Sequence, residues 1–296
     1  MVINFRLLLI TLLLFNLVLP VFSFKPSGGV LVLDGDDDYA ILPLAEHGYL
    51  IPANTFDFTV EVWFHPKSGP ERGRDNLTEN NPILSQQVRF GLTSNTQDCN
   101  LDKNQLCCYG AAYLEGKVRG VIGTYVEVER DQWNYLAIIF KDGAFNFAYN
   151  NRILQTRFPL VDRVAAEVRL KRKDFFVGGY DEDVFAINQD GIMLSQTTRF
   201  HGEIDAIRFS NIARYDVPAE RGVYPFEPPH RFVSDAHTLA LWNFDEPAGT
   251  DRFQDASGNG KTLIGMNGAA TSGALAVNPT RTSLTSTWGQ IKLESH

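Results

Sequence analysis

The chain has 296 residues, a formal net charge of −8 at pH 7, 44% hydrophobic residues and 12% aromatic residues. The excess of acidic groups argues against nucleic acid or anionic lipid as a partner. The length is sufficient for one large domain with a full core. After residue 23 no segment is long and apolar enough to cross a membrane.

Residues 1–23 are predicted to be a signal peptide. A single charge, Arg6, precedes the apolar run Leu7–Phe22, and small residues near Ser23 suit a signal peptidase. The run is short for a membrane anchor and contains Asn16 and Pro20. We expect cleavage after Ser23 and a secreted, extracytoplasmic product. Loss of Arg6 from the 27 basic residues leaves 26 against 35 acidic ones, a net charge of −9.

Alternation with a period of two predicts a strand over residues 58–64, with Phe58, Val60, Val62 and Phe64 on an apolar side and Thr59, Glu61, Trp63 and His65 on a mixed side. Further strands are predicted at Val30–Leu33, Pro82–Phe90, Gly110–Leu114, Lys117–Ile122, Trp133–Phe140, Ala144–Tyr149, Phe175–Val177, Phe200–Phe209 and Leu239–Phe244. Tight turns at residues 141–143 and 149–152 separate some of them. Many short strands predict an all-β, antiparallel two-sheet sandwich.

Two long polar segments, Pro66–Asn81 and Tyr180–Thr198, are predicted to be loops, and residues 271–296 a loosely packed tail. Loops of this length are often functional. Sugar sites on sandwiches combine aromatic rings with amide and carboxylate groups. The ligand-binding residues predicted in these loops are Asn80, Asn81, Tyr180, Asp181 and Asp183. For Trp63 and Trp133, which lie in strand-like runs, core packing is expected instead.

Three cysteines, Cys99, Cys107 and Cys108, lie within ten residues. In an exported protein this predicts one disulfide bond, from Cys99 to either Cys107 or Cys108, that closes a small loop. A zinc site is disfavoured, because three thiols without a nearby histidine fall short of four ligands.

Several motifs occur in an order that resembles the LamG-like jellyroll family of the concanavalin A-like lectin and glucanase superfamily. They are Leu31-Val-Leu-Asp-Gly-Asp-Asp-Asp-Tyr39, Phe56-Asp-Phe-Thr-Val-Glu-Val-Trp63, Ile83-Leu-Ser85, Trp133-Asn-Tyr-Leu-Ala137, Phe200-His-Gly-Glu-Ile-Asp-Ala-Ile-Arg208 and Asn211-Ile-Ala-Arg214. The resemblance implies a two-sheet jelly roll over residues 24–270. It also implies binding of extracellular glycans or proteins, often with calcium, and seldom catalysis.

The segment from Leu239 to Gly265 resembles the part that normally opens such a domain, yet here it comes last. Either the domain is circularly permuted, with residues 238–268 supplying the opening strands, or a second copy begins here and stops early. Permutation is favoured, because chain ends of compact domains tend to lie close together. A lone opening strand would also leave apolar side chains exposed.

Glu203 and Asp205 are two residues apart on a predicted strand, so both point to one face. Related β-glucanases carry Glu-x-Asp followed by a second Glu two or three residues later, because retaining hydrolysis needs two carboxyl groups at a set separation. Here those positions hold Ile207 and Arg208. No catalytic residues are therefore assigned, and Glu203 and Asp205 are catalytic candidates only in a hydrolase.

Asp205 is expected to need a partner, because an isolated buried carboxylate is costly. Arg208 is one candidate, and a cation is the other. The acidic turn Asp34–Asp38 offers carboxylate oxygens of the kind that calcium prefers. The predicted calcium ligands are Asp34, Asp36 and Asp205, and a solvated acidic turn without metal is the alternative.

The sequence thus predicts an exported, non-catalytic recognition or adhesion module that binds carbohydrate. The alternatives are a protein-binding module with a surface protein as partner, or a glycoside hydrolase of the β-glucanase type.

Overall fold

In a computed structural model of the chain, the structure describes residues 28–52, 55, 57–67, 81–86, 88–93, 105–112, 121–122, 126–159, 174–179, 186–187, 193–194 and 199–273. The predicted signal peptide and residues 274–296 of the predicted tail lie outside these ranges.

Sheet A contains β1 (Leu31–Asp34), β3 (Phe58–Pro66), β9 (Asn134–Lys141), β10 (Ala144–Tyr149), β11 (Arg152–Pro159), β15 (His201–Ser210), β16 (Gly222–Pro225), β17 (Thr238–Trp242) and β20 (Ala270–Thr271). Its order is β16-β11-β10-β9-β3-β15-β1-β20, with β17 also paired to β15.

Sheet B contains β2 (Tyr39–Leu42), β4 (Asn81–Ser85), β5 (Val88–Thr93), β6 (Gln105–Ala112), β7 (Val121–Ile122), β8 (Val126–Glu129), β12 (Phe175–Val177), β18 (Arg252–Phe253) and β19 (Leu263–Met266). Its order is β18-β19-β2-β12-β4-β5-β6-β7, and β8 pairs with β6. A two-stranded ribbon joins β13 (Ala186–Ile187) to β14 (Met193–Leu194), and one short helix, α1, spans Leu44–His47.

The predicted all-β sandwich is confirmed, because the strand pairs of both sheets are antiparallel and the main core lies between the sheets. The apolar side of β3 faces the main core, as the alternation predicted. Phe58, Val60, Val62 and Phe64 belong to the main core, where Phe58 stacks on Phe140. The side chains between them point to the other face of sheet A.

The strand β15 pairs with strands from both the beginning and the end of the described chain. Along one edge it pairs with β3. Along the other edge its first half pairs with β1 and its second half with β17, so an early and a late strand lie end to end. The Ser272 backbone N–H also donates to Val30 O at 2.9 Å. Residues 238–271 therefore add strands to both sheets.

Several predicted boundaries differ from the structure. The single strand predicted at Pro82–Phe90 is two strands, β4 and β5, which form a hairpin. The predicted loop Tyr180–Thr198 contains the ribbon β13–β14. The predicted tail begins with Thr271, which is paired in β20. The strands β2, β8, β11, β16 and β20 were not predicted, whereas β18 and β19 lie in residues 238–268, where opening strands were expected without bounds.

Candidate functional site

Residues 211–237, here called the cover segment, include the edge strand β16, and on both sides of that strand they pack against the outer face of sheet A. Tyr215, Val217 and Phe226 of this segment pack on a second apolar cluster that includes Trp63 and Phe232. The Trp63 indole N–H donates to Pro229 O at 2.9 Å. The segment therefore occupies the face on which an open sandwich would otherwise present a binding surface.

A buried ion pair lies under the cover segment. Glu61 on β3 is fully buried and accepts hydrogen bonds from Arg208 on β15, at 2.8 Å from Nε and 2.7 Å from Nη2. The hydroxyls of Tyr135 and Tyr215 both donate to Glu61 Oε1. Burial, followed by the Glu61 charge, raises the pKa of Tyr135 well above its usual range. The Arg208 guanidinium also donates to Val233 O, which ties the cover segment to the sheet.

The two ends of the cover segment are joined to each other. Arg214 donates two hydrogen bonds of 2.8 Å to the Asp235 carboxylate and one to Thr238. The hydrogen bond from Arg214 holds the pKa of Asp235 well below its usual range. The segment is thereby closed into a fixed loop on the sheet.

The cover ends before the last residues of β3 and the first residues of β15. On the outer face Glu61 and Trp63 are buried, whereas His65 has 18% of its side chain exposed. Glu203, the register partner of His65, is 24% exposed. These two residues, with Lys67 and Trp133, form a half-open surface that we call the His65 patch.

The His65 patch combines four chemical groups within a small area. Lys67 Nζ donates to Glu203 Oε1 at 2.5 Å. The His65 ring lies 5.3 Å from the Trp133 ring, centroid to centroid. Trp133 is partly buried and packs against the second apolar cluster, in line with the core packing expected from the sequence. Among the described residues, His65 Nδ1 is buried without a hydrogen-bond partner, and Glu203 Oε2 is 4.0 Å away. The patch therefore offers an aromatic ring, a carboxylate, an ammonium group and an imidazole.

Asp205 lies next to this patch at a bulge in β15. The register with β3 shifts between Ile204 and Ala206, so Asp205 is the extra residue. It is 8% exposed. Burial, together with the charge of Asp245, raises its pKa to about 7, while Arg231 acts in the opposite direction.

Of the two partners considered for Asp205, Arg208 is wrong. Arg208 is bonded to Glu61 instead, because Glu61 is its register partner on β3. The charged groups near Asp205 are Asp245 and Arg231, which form their own ion pair of 2.6 Å.

The acidic turn brings three carboxylates together. Ligand oxygens of Asp34, Asp37 and Asp38 lie within 4.8 Å of one another. Asp38 is 6% exposed and accepts a hydrogen bond from the Asp34 backbone N–H. Burial, and then the charges of its acidic neighbours, raise the pKa of Asp38. A group with only oxygen ligands and crowded negative charge suits a hard cation.

Two predicted metal ligands are not part of this carboxylate group. The Asp36 backbone N–H donates to Asp34 Oδ1 at 2.7 Å, which shapes the turn. Asp34 pairs with His201 and Leu31 with Ile204, so Asp205 lies beyond the opposite end of β1. The roles of Asp36 and Asp205 as calcium ligands stay predictions.

Most of the predicted loop site lies outside the described residues, namely Asn80, Tyr180, Asp181 and Asp183. Asn81 begins β4. Cys99 also lies outside, and Cys107 pairs with Thr93 in the backbone register of β5 and β6. Cys108 is fully buried in the main core, where burial raises the pKa of its thiol well above the usual range. The Cys99–Cys107 disulfide stays a prediction.

Sequence reasoning missed Lys67, and it did not single out His65 or Arg231. The available signal was the position of His65 on the mixed side of the alternating strand. Its juxtaposition with Glu203 follows from the β3–β15 register, which joins residues 138 positions apart in sequence and which no local pattern reveals.

No protein-family model matches the chain, and no curated protein matches it. Solved structures with a similar fold include a Bacteroides ovatus protein described as carbohydrate-binding, with 13% identity and a TM-score of 0.45, over 86% of this chain and 63% of that one. A Limulus polyphemus pentraxin has 12% identity and a TM-score of 0.38, over 65% of this chain and 80% of its own. The mouse laminin α1 domains LG4-5 have 15% identity and a TM-score of 0.33, over 70% of this chain and 48% of that one.

All three TM-scores are below 0.5, so the fold class rests on the strand topology of the chain itself. That topology is a two-sheet, antiparallel jelly-roll sandwich. In the described residues, no helix is long and apolar enough to cross a membrane.

Proposed function

We propose that this chain is a secreted recognition module that binds carbohydrate without transforming it. The observation that carries the proposal is the partly exposed His65 patch on the outer face of sheet A, beside the cover segment. Aromatic rings such as Trp133 stack on sugar faces, and nearby polar groups fix the sugar hydroxyls. In Glu203 and Lys67 the patch supplies both an acceptor and a donor for hydroxyls.

The ion pairs formed by the charged side chains support a non-catalytic role. Retaining hydrolysis needs a nucleophilic carboxylate and a second carboxyl group that donates a proton. Glu203 is held by Lys67, and the positions two and three residues after Asp205 hold Ile207 and Arg208. Arg208 is bonded to the buried Glu61. The proton-donating carboxyl group that β-glucanases carry two or three residues after the Glu-x-Asp motif is therefore absent from positions 207 and 208.

One observation favours a glycoside hydrolase as the second candidate. A pKa of about 7 keeps much of Asp205 protonated near neutral pH, two residues from Glu203. The test is hydrolysis of laminarin or of a mixed-linkage glucan. Release of reducing sugar that is lost in Glu203→Gln would establish the hydrolase, whereas absence of hydrolysis at pH 5, 6 and 7 would exclude these substrates.

Binding is tested by screening the chain on a glycan array with calcium and with a chelator. We expect a signal for one structural class of glycan, and loss of that signal in Glu203→Gln. A chain that folds but binds no glycan in calcium would contradict the carbohydrate assignment and favour a surface protein as partner.

We also propose that Asp34, Asp37 and Asp38 hold a calcium ion. The support is the closeness of their oxygens, because calcium takes about six to eight oxygen ligands from flexible segments. A bound cation would neutralise charges that repel one another across the turn and would so stabilise the fold. Asn267 donates to the Asp37 carbonyl at 2.9 Å, so the turn is tied to the end of β19.

Thermal unfolding with and without calcium tests this site. We expect calcium to raise the midpoint temperature of the wild type and to lose this effect in Asp38→Asn. Asp142→Asn, an exposed acidic control in the turn between β9 and β10, should respond like the wild type. Equal calcium responses in Asp38→Asn and the wild type would contradict the assignment.

A further inference from the structure

Two cations at and near the His65 patch, Lys67 and Arg231, are each paired with a carboxylate. The Lys67 ammonium group is 2.5 Å from Glu203 Oε1, and the Arg231 guanidinium is 2.6 Å from Asp245 Oδ2. Asp205 is near both pairs. It is two residues from Glu203 in sequence, and it interacts electrostatically with Arg231 and Asp245. Both of these cations are therefore already bonded to carboxylates.

An anionic sugar would need the opposite arrangement. Proteins recognise sulfate and carboxylate with cations that are free to bond them, and most effectively with the guanidinium fork of arginine. Here, withdrawing Lys67 or Arg231 toward such a group would leave Glu203 or Asp245 without its cation. The formal net charge of −8 adds repulsion over longer distances.

A neutral sugar fits both members of the Lys67–Glu203 pair. One hydroxyl can donate to Glu203, and its neighbour can accept from Lys67 without breaking the ion pair. The Trp133 ring, 5.3 Å from the His65 ring, is placed to contact an apolar sugar face.

We infer that the His65 patch selects neutral sugars over sulfated sugars and uronic acids, and that Glu203 imposes this selection. The inference rests on the proposed carbohydrate-binding function. The carboxylate acts twice, since it accepts from a sugar hydroxyl and also neutralises the one ammonium group of the patch.

The test compares immobilised neutral glucans, mannans and galactans with sulfated and uronic acid-containing glycans, using the full chain at about 50 and 500 mM salt. We expect neutral glycans to bind at least about ten-fold more tightly, since a hydrogen bond to a charged group contributes about that much. Their binding should change little with salt, because no net charge is neutralised.

Two variants separate selection by Glu203 from a general effect of charge. Glu203→Gln keeps the shape but frees Lys67, so neutral binding should fall about ten-fold and sulfated glycans should gain affinity. Glu227→Gln, an exposed glutamate of the cover segment, removes the same charge and should leave the selectivity of the wild type.

The outcomes are distinct for the two proposals. A wild type that prefers sulfated or uronic glycans, or whose affinity collapses at high salt, would overturn the inference and leave carbohydrate binding intact. Unchanged selectivity in Glu203→Gln would overturn the role of this residue. A folded wild type that binds neither class would overturn the proposed function itself.

Discussion

At the scale of single residues, the buried carboxyl groups of sheet A differ in how they are satisfied. Glu61 has a guanidinium and two hydroxyls, all on its own face of the sheet. Asp205 is nearly as buried, yet Asp245 and Arg231 are its charged neighbours and its pKa is raised. Burial without a hydrogen-bonded counter-ion therefore favours the protonated form of Asp205.

Because the pKa of Asp205 is raised, its contribution to the stability of the fold should fall as pH rises. In the unfolded chain its pKa is about 3.9, whereas in the fold it is about 7. The folded state therefore binds more protons between these values. The Asp205 contribution is fully present below pH 4 and is lost as pH rises through 7. The effect of Asp205→Asn on the free energy of unfolding should therefore depend on pH. It should be more stabilising at pH 8 than at pH 4, by about 2 to 4 kcal/mol.

Urea unfolding of the wild type and Asp205→Asn at pH 4, 6 and 8 measures this difference. A matched change at the exposed Asp251 should give no pH-dependent gain. If Asp205→Asn has the same effect at pH 4 and pH 8, the carboxyl group is not protonated in the fold.

Removing one partner of the buried ion pair should be costly. Glu61→Gln leaves the Arg208 guanidinium buried without its counter-ion, so we expect a loss of about 3 to 5 kcal/mol in the free energy of unfolding. Tyr135→Phe, which removes one hydrogen bond to the same carboxylate, should cost about 1 to 2 kcal/mol. A loss in Glu61→Gln no larger than in Tyr135→Phe would argue against a charged pair.

At the scale of elements, the cover segment decides which part of sheet A remains accessible. Its apolar side chains pack on Trp63, and its ends are joined by Arg214 and Asp235. Arg214→Ala should therefore raise amide hydrogen exchange across residues 211–237 and leave β9 and β10 protected. Exchange measured by mass spectrometry would contradict this if both regions lost protection together or if neither changed.

The contact between β3 and β15 at the patch requires a glycine. Gly202 has φ of 155°, and a Cβ there would overlap the His65 carbonyl oxygen. Gly202→Ala should therefore push the two strands apart beside His65 and Glu203 and should reduce both stability and glycan binding. Unfolding and binding of the variant equal to those of the wild type would contradict this close approach.

The sequence could predict elements more readily than sites. Alternation at Phe58–Phe64 predicted β3 correctly, because one side packs in the main core. The hairpin inside Pro82–Phe90 was missed, because its turn at Gln86 lacks a glycine or proline signal. The cover segment has a polar, proline-rich sequence typical of a loop, and its packing depends on a sheet formed elsewhere in the chain.

The site depended on long-range register. Glu203 was singled out from its spacing to Asp205, but Lys67 is 136 residues away and meets Glu203 only through the β3–β15 pairing. The Glu61–Arg208 pair spans 147 residues. Because Arg208 is the register partner of Glu61, its pairing also depends on both strands, and local spacing offered it as one of two partners for Asp205.

At the scale of the whole molecule, the described ends of the chain lie side by side. Leu31 pairs with Thr271, and the Ser272 N–H donates to Val30 O. The proposal that residues 238–268 are permuted opening strands predicts that the chain tolerates reordering. A permutant that joins residue 273 to residue 28 and opens between the exposed Glu220 and Arg221 should fold, within about 2 kcal/mol of the wild type.

Circular dichroism and urea unfolding test the permutant. A single cooperative transition would support the proposal. A permutant that is unfolded, when the same chain with an unpermuted linker insertion at residues 220–221 folds, would contradict it.

The central claim is that the His65 patch binds carbohydrate, and Trp133 tests it most directly. The measurement is glycan-array binding of the wild type, Trp133→Ala and the matched aromatic control Tyr224→Ala, which lies on the edge strand β16 away from the patch. We predict binding by the wild type and by Tyr224→Ala, and a loss of about ten-fold or more in a folded Trp133→Ala protein. Undiminished binding by Trp133→Ala, or no glycan binding by the wild type, would contradict the claim.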